Sequence, residues 1–247
     1  MPCRSTCVKK NGAYKNKRCG HCIIRQNLTA RVEFKNKDGM RTIYFVDGNI
    51  HREDGPAVED ADGSKGWLIN GEYHREDGPA IECADGSKYW YINGKLHRED
   101  GPALEDANGT KAWFINGKYH REGGPAVEDA NGTKSWYING NLHREDGPAL
   151  EDANGSREWW FNGLLHRDGG PAKELDDGST GWYINGELHR EDGPAVEAEL
   201  GFILINKKMY EGKKWFYLND VQYSFDKWLN KLQISDEEKV MLCLKWK

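Results

Sequence analysis

Ala57-Val-Glu-Asp-Ala-Asp62-Gly63-Ser-Lys-Gly-Trp67-Leu-Ile-Asn70-Gly71-Glu-Tyr-His74-Arg-Glu-Asp77-Gly78-Pro79 is the stretch that decides the architecture. Short apolar runs in it are separated by Asp-Gly, Asn-Gly and Asp-Gly-Pro. Asx-Gly pairs between such runs are strong hairpin signals, because both central residues of a two-residue turn take positive φ. This density of breakers excludes helix.

The stretch recurs. His-Arg-acid begins at His51, His74, His97, His120, His143, His166 and His189, always 23 residues apart. A fixed period in this range signals an array in which each unit packs on its neighbours. The expected fold class is an all-β repeat array, an elongated antiparallel sheet of stacked hairpins. Seven clear units fill residues 51–195, and whether each holds two or three strands stays open at this point.

Two-residue turns would set the register. At Asp62-Gly63 they place Asp60 opposite Lys65 and Val58 opposite Trp67. At Asn70-Gly71 they place Trp67 opposite His74 and Leu68 opposite Tyr73. In the sixth copy Asp60 and Lys65 change together, to Leu175 and Thr180. Alternation then assigns Val58, Trp67, Ile69 and His74 to one face as a Trp–His–aliphatic cluster, and Leu68, Tyr73, Glu59 and Arg75 to the other, where Glu59 and Arg75 flank Gly66 and are expected to bridge. That second face carries Leu68, Tyr73, Tyr91, Phe114, Tyr119, Tyr137, Trp160 and Tyr183, and it is the candidate binding face. A single layer cannot hide both of its faces, so either the Asp-Gly-Pro loops fold over one or a partner covers it.

The ends drift. Residues 31–50 read as a degenerate first unit, with Asp38-Gly39 and Asp47-Gly48 at the turns and Tyr44 in the tryptophan place. After Ala195, Lys214-Trp215-Phe216-Tyr217-Leu218-Asn219-Asp220 echoes the tryptophan strand, with Tyr223 where histidine belongs. Residues 224–247 change period. Phe225, Trp228, Leu229 and Leu232 have helical spacing, and Ser235 to Glu238 is a capping box opening a second helix. The helix pair reads as an edge plug, the alternative being recruitment of a partner.

Residues 1–30 form a separate head. Cys3, Cys7, Cys19 and Cys22 stand as two close pairs, with His21 as a substitute ligand. Four soft ligands at this spacing fit a tetrahedral structural zinc, and a short polar segment needs such a staple. Reduced cysteines or a disulfide are the other readings. Residues 1–35 hold nine Lys/Arg and one acid, a net +8 within a chain of net −5 that leaves −13 for the rest. The head suits nucleic acid and the array should repel it. Met1 to Lys10 lack an apolar leader, and no run approaches the ~18 apolar residues of a membrane helix. With this cysteine usage, a cytoplasmic setting is expected and no membrane span.

The order Trp-x-x-Asn-Gly-x-x-His-x-x-x-Gly at this period resembles the MORN repeat, over residues 31–223. The resemblance implies elongated, twisted hairpin sheets and roles in scaffolding, dimerisation and sometimes membrane lipid binding. Arg-Glu-Asp-Gly-Pro-Ala stands where the family has Gly-x-Gly, which implies a variant subclass.

Three functions follow as expectations. The first is a non-enzymatic scaffold that binds a protein partner or a second copy through the aromatic face. The second is a nucleic-acid adaptor using the zinc head. The third binds a small anionic ligand through Arg52, Arg75, Arg98, Arg121, Arg144, Arg167 and Arg190. Seven near-identical catalytic sites in a row would be unusual, and Gly123 and Gly169 replace the second acid, so the His-Arg-acid set reads as structural. The first acid is expected to bridge and the second to serve a backbone turn.

Overall fold

A computed structural model describes residues 29–36, 39–199, 202–205, 208–211 and 214–246, with side chains omitted at 36, 202–205 and 208–211. The proposed zinc head, with Cys3, Cys7, Cys19, His21 and Cys22, lies outside the described residues. So does Asp38 of the first degenerate turn.

One antiparallel ladder runs from β1 (Thr29–Asn36) and β2 (Gly39–Val46) to Lys214–Leu218. Each unit contributes four two-residue ladder segments. In the quoted unit these are Val58–Glu59, Lys65–Gly66, Leu68–Ile69 and Glu72–Tyr73. They amount to two passes of chain. The first is nearly regular from 65 to 69. The second is interrupted at 76–79 by the Glu-Asp-Gly-Pro loop. Two passes at ~4.8 Å advance the sheet by ~10 Å per unit. Units are also joined along the hairpins, where Arg75 N donates to Tyr91 O (3.1 Å) and Gly94 N to Tyr73 O (2.9 Å).

The second turn is as expected. Leu68 faces Tyr73 and Ile69 faces Glu72, and Asn70 and Gly71 hold φ of 51° and 86°. The first turn is not. Asp60 N donates to Ser64 O at 2.9 Å, which closes a three-residue loop with Gly63 at φ 97°. Val58 therefore faces Gly66, and Glu59 faces Lys65. Asp62 is absent from the positive-φ residues; its carboxylate instead accepts the Ser64 amide at 2.8 Å. One extra loop residue shifts the register by one and flips the parity of everything before it. The proposed Asp60–Lys65 pair is thus corrected, and so are the faces.

On the corrected faces, Val58, Gly66, Leu68 and Tyr73 lie together, and Glu59, Lys65 and Trp67 lie opposite. Glutamate and lysine then alternate across successive passes. Glu59, Lys65, Glu82, Lys88, Glu105, Lys111, Glu128, Lys134, Glu151, Arg157 and Glu174 are consecutive cross-strand partners. Opposite charges directly across a ladder are favourable pairs. The sheet thus holds a charge ladder that two-residue turns would have disallowed.

A signal for the longer turn was present in the sequence. Ser or Thr always follows the first Asx-Gly and never the second. Its hydroxyl accepts an amide from the next unit, as in Ala84 N to Ser64 Oγ (3.0 Å) and Ala107 N to Ser87 Oγ (2.9 Å).

Arg52 stacks on Tyr44 at 4.1 Å, so Tyr44 does stand for tryptophan. Phe216 pairs with Tyr223, and a hairpin, Phe202–Ile205 with Lys208–Glu211, interrupts the last unit. Ser235 and Glu238 exchange the two capping-box bonds (2.8 and 3.2 Å). α1 (Phe225–Leu229) and α2 (Asp236–Trp246) sit on the C-terminal end of the sheet. Trp228 Nε1 donates to Arg190 O at 3.0 Å and Trp246 Nε1 to Asp192 O at 2.8 Å, so the helix pair covers the last loop. No helix of the described residues is long and apolar enough to cross a membrane.

Candidate functional surfaces

The repeated motif builds a node around each arginine. Arg75 lies 4.0 Å over the Trp67 ring. Its Nε donates to Asp77 at 2.9 Å, and its Nη1 to Pro79 O at 3.2 Å and to Glu82 at 3.1 Å. A planar cation over indole gains about 0.5–2 kcal/mol depending on desolvation. Gly78 belongs to the same node, since a Cβ there would come within 3.0 Å of the guanidinium carbon. The alanine that closes the motif is 0% exposed in all seven copies, at Ala57, Ala80, Ala103, Ala126, Ala149, Ala172 and Ala195. Arginine, glycine and alanine are therefore explained by packing.

Two expected partnerships are corrected here. A Glu–Arg bridge does occur in each unit, but Glu59 meets Arg52 (3.0 Å) and not Arg75. The acid that bridges is also the other one. The second, Asp77, takes the guanidinium, while Glu76 stands 86% exposed at 3.7 Å from His74 Nε2. The arginine hydrogen bond holds the Asp54, Asp77, Asp100 and Asp146 carboxyls below the usual range.

Trp67 stands opposite His74 as expected, His74 N donating to Trp67 O at 3.1 Å, and the arginine stacks on the tryptophan as well. Each histidine also serves the next pass. Its Nδ1 accepts the backbone amide of the following turn's asparagine at 3.1–3.2 Å through six units, and that of Asn219 at 3.4 Å in the last. The same Nδ1 stands 2.7–3.0 Å from the asparagine Oδ1 at His51, His74 and His189.

On the opposite face Tyr73 and Tyr91 are stacked at 5.5 Å, Phe114 and Tyr119 at 4.2 Å, and Tyr119 and Tyr137 at 5.1 Å. Eight residues were predicted to line this face. Leu68 (6%), Phe114 (7%) and Tyr183 (0%) are buried by their neighbours and offer nothing to a partner. Tyr73 and Tyr119 remain 37% exposed, with Tyr91, Tyr137 and Trp160 partly so. Burial pushes the Tyr91 and Tyr137 hydroxyls up. No second layer covers this face among the described residues, whereas the arginine loops cover the other.

Two places on the apolar face carry polar groups. Glu158 and Lys173 replace a small and an aliphatic residue, face each other across the ladder, and pair at 2.5 Å. Trp160 Nε1 also donates to Glu158 at 2.9 Å. In the second unit the Tyr89 hydroxyl donates to Asp106 at 2.7 Å.

That bond, followed by burial, pushes the Tyr89 hydroxyl up to about 12 from 10.0. The folded state thus holds its proton more tightly than the unfolded chain. The associated stability is present below pH ~10 and is lost as pH rises toward ~12. Urea unfolding across that window should show a loss of stability that is smaller in Tyr89→Phe. Equal slopes for the two proteins would contradict the assignment.

Among the described residues no group of three His, Cys, Asp or Glu could hold a metal. Cys83 and Cys243 are free thiols, and burial pushes that of Cys83 up, away from reactivity. The geometry defines a protein built of stacked β-hairpin repeats with one covered and one open face. Comparison with protein-family models and with curated proteins returns no match.

Proposed function

We propose that the protein is a non-enzymatic scaffold of MORN-like hairpin repeats that binds another protein, or a second copy, on its open aromatic face. The observation that carries this reading is the aromatic row itself. Tyr73 and Tyr119 are 37% exposed on a sheet face that lacks a second layer among the described residues. Tyrosines are favoured at interfaces because they combine a large apolar body with a polar tip at low entropic cost. The His-Arg-acid motif supports the non-enzymatic reading, since its arginine, histidine and second acid each serve a packing or hydrogen-bonding role in the array.

Light scattering across a concentration series, alone and with captured proteins, tests the proposal. Tyr73→Glu/Tyr119→Glu should abolish dimer or partner retention while the melting transition moves by only a few degrees. A monomer whose captured proteins are unchanged by that substitution would overturn it.

A further inference from the structure

Of the seven repeat arginines, five have the Nε edge occupied by an aspartate two residues on: Asp54, Asp77, Asp100, Asp146 and Asp192, at 2.6–2.9 Å. Arg121 and Arg167 do not. Glycine stands in the aspartate's place at Gly123 and Gly169, where a Cβ would meet nothing within 4 Å but the φ of 72° and 70° is left-handed, unlike that of the aspartates. Both arginines keep the rest of the node. Their Nη1 atoms bind Glu128 at 2.8 Å and Glu174 at 2.7 Å, and each guanidinium lies 3.7 Å over its tryptophan. Their side chains are 31% exposed, against 22–24% for Arg52, Arg75, Arg98 and Arg144. Each also lines a cleft between successive loops, of about 650 Å³ where Arg121 shares it with Arg98, Glu99, Asp100 and Glu122, and of about 630 Å³ where Arg167 shares it with Arg144, Glu145, Asp146 and Asp168.

We infer that Arg121 and Arg167 are two carboxylate-recognition points, at which an acidic side chain of a bound peptide segment takes the place of the missing aspartate. The guanidinium is held by indole and glutamate, so its open edge is pre-oriented for a carboxylate. The five occupied copies show the geometry such a bond takes. Glu99, Asp100 and Glu122 around the first point, and Glu145, Asp146 and Asp168 around the second, disfavour a free dianion such as phosphate more than a single carboxylate that matches the fork. The third expectation from the sequence is thereby narrowed from seven arginines to two. The points are two units apart, ~20 Å at ~4.8 Å per pass. An extended chain spans that in about six residues. The partner segment is thus an extended peptide with acidic residues six apart. The inference is independent of the aromatic-face reading, because it uses the opposite face.

The test follows the arginine Nε–Hε resonances of the full chain by NMR while titrating Ac-Glu-Gly-Ser-Gly-Ser-Gly-Glu-NH2. Arg121 and Arg167 should shift and the other five should not. Binding should be at least about tenfold tighter than for Ac-Gly-Glu-Gly-NH2, since the second contact is intramolecular. Gly123→Asp and Gly169→Asp, which supply the aspartate of the other units once the local φ relaxes from 72° and 70°, should each silence one point and remove the tenfold gain. Arg121→Lys, which keeps charge but loses the fork, should weaken binding similarly and guards against a misfolded aspartate variant. Equal response of all seven arginines, equal affinity for the two peptides, or a stronger response to inorganic phosphate would overturn the inference.

Discussion

Trp228→Ala is expected to cost about 3–5 kcal/mol, the range for removing a large aromatic from a close-packed interior. Trp228 is 0% exposed, contacts Phe216 at 4.8 Å between ring centroids, and holds the Arg190 carbonyl through its indole nitrogen. Its loss empties the contact between α1 and the last pass. Repeat arrays distribute stability as unit terms and neighbour terms, so the damage should be local. Native-state hydrogen exchange would show it. The amides of Arg190 and Leu188, which donate to Tyr217 O (3.2 Å) and to Asp220 (2.7 Å), should lose protection first. The Trp113 amide, which donates to Ala126 O at 2.8 Å, should keep its protection. Uniform loss along the array, or a cost below about 1 kcal/mol, would show that the helix pair is not a structural cap.

Glu158→Ser should destabilise the protein by about 2–3 kcal/mol, because Lys173 is left charged on an apolar face. This falls below the ~3–5 kcal/mol typical of breaking a fully buried pair, since water still screens the group. The exposures of 22% for Lys173 and 14% for Glu158 justify that discount. Glu158→Ser/Lys173→Leu should recover most of the loss or exceed wild-type stability, because it installs the Ser135 and Leu150 pairing of the preceding unit. A double-mutant cycle from urea unfolding measures the coupling. Additive single and double changes would mean that the two charges act independently despite their contact.

Much of the node was legible in part. Trp67, Arg75 and Gly78 recur at fixed spacing, and a structural role for the motif was readable from Gly123 and Gly169. Which acid meets the arginine was not. Asp77 and Glu76 are adjacent in sequence, and only the loop conformation decides which carboxylate reaches Nε. The aromatic row was read correctly as one face, but its availability was not. Phe114 and Tyr137 occupy equivalent places, and yet one is buried and the other half-open, a difference that packing decides and the repeat pattern does not carry.

The sequence by itself determined the repeat period, the hairpin class, the type of the second turn and the capping of the ends. These depend on local chemistry: positive φ at Asn-Gly, breakers at fixed intervals, a capping box. Only the tertiary structure decided the register of the first turn, and with it the charge ladder and the composition of each face. Asp62-Gly63 and Asn70-Gly71 are both Asx-Gly pairs. They differ because the first turn hands its serine hydroxyl to the next pass and closes one residue later, an interaction between chain segments 20 residues apart.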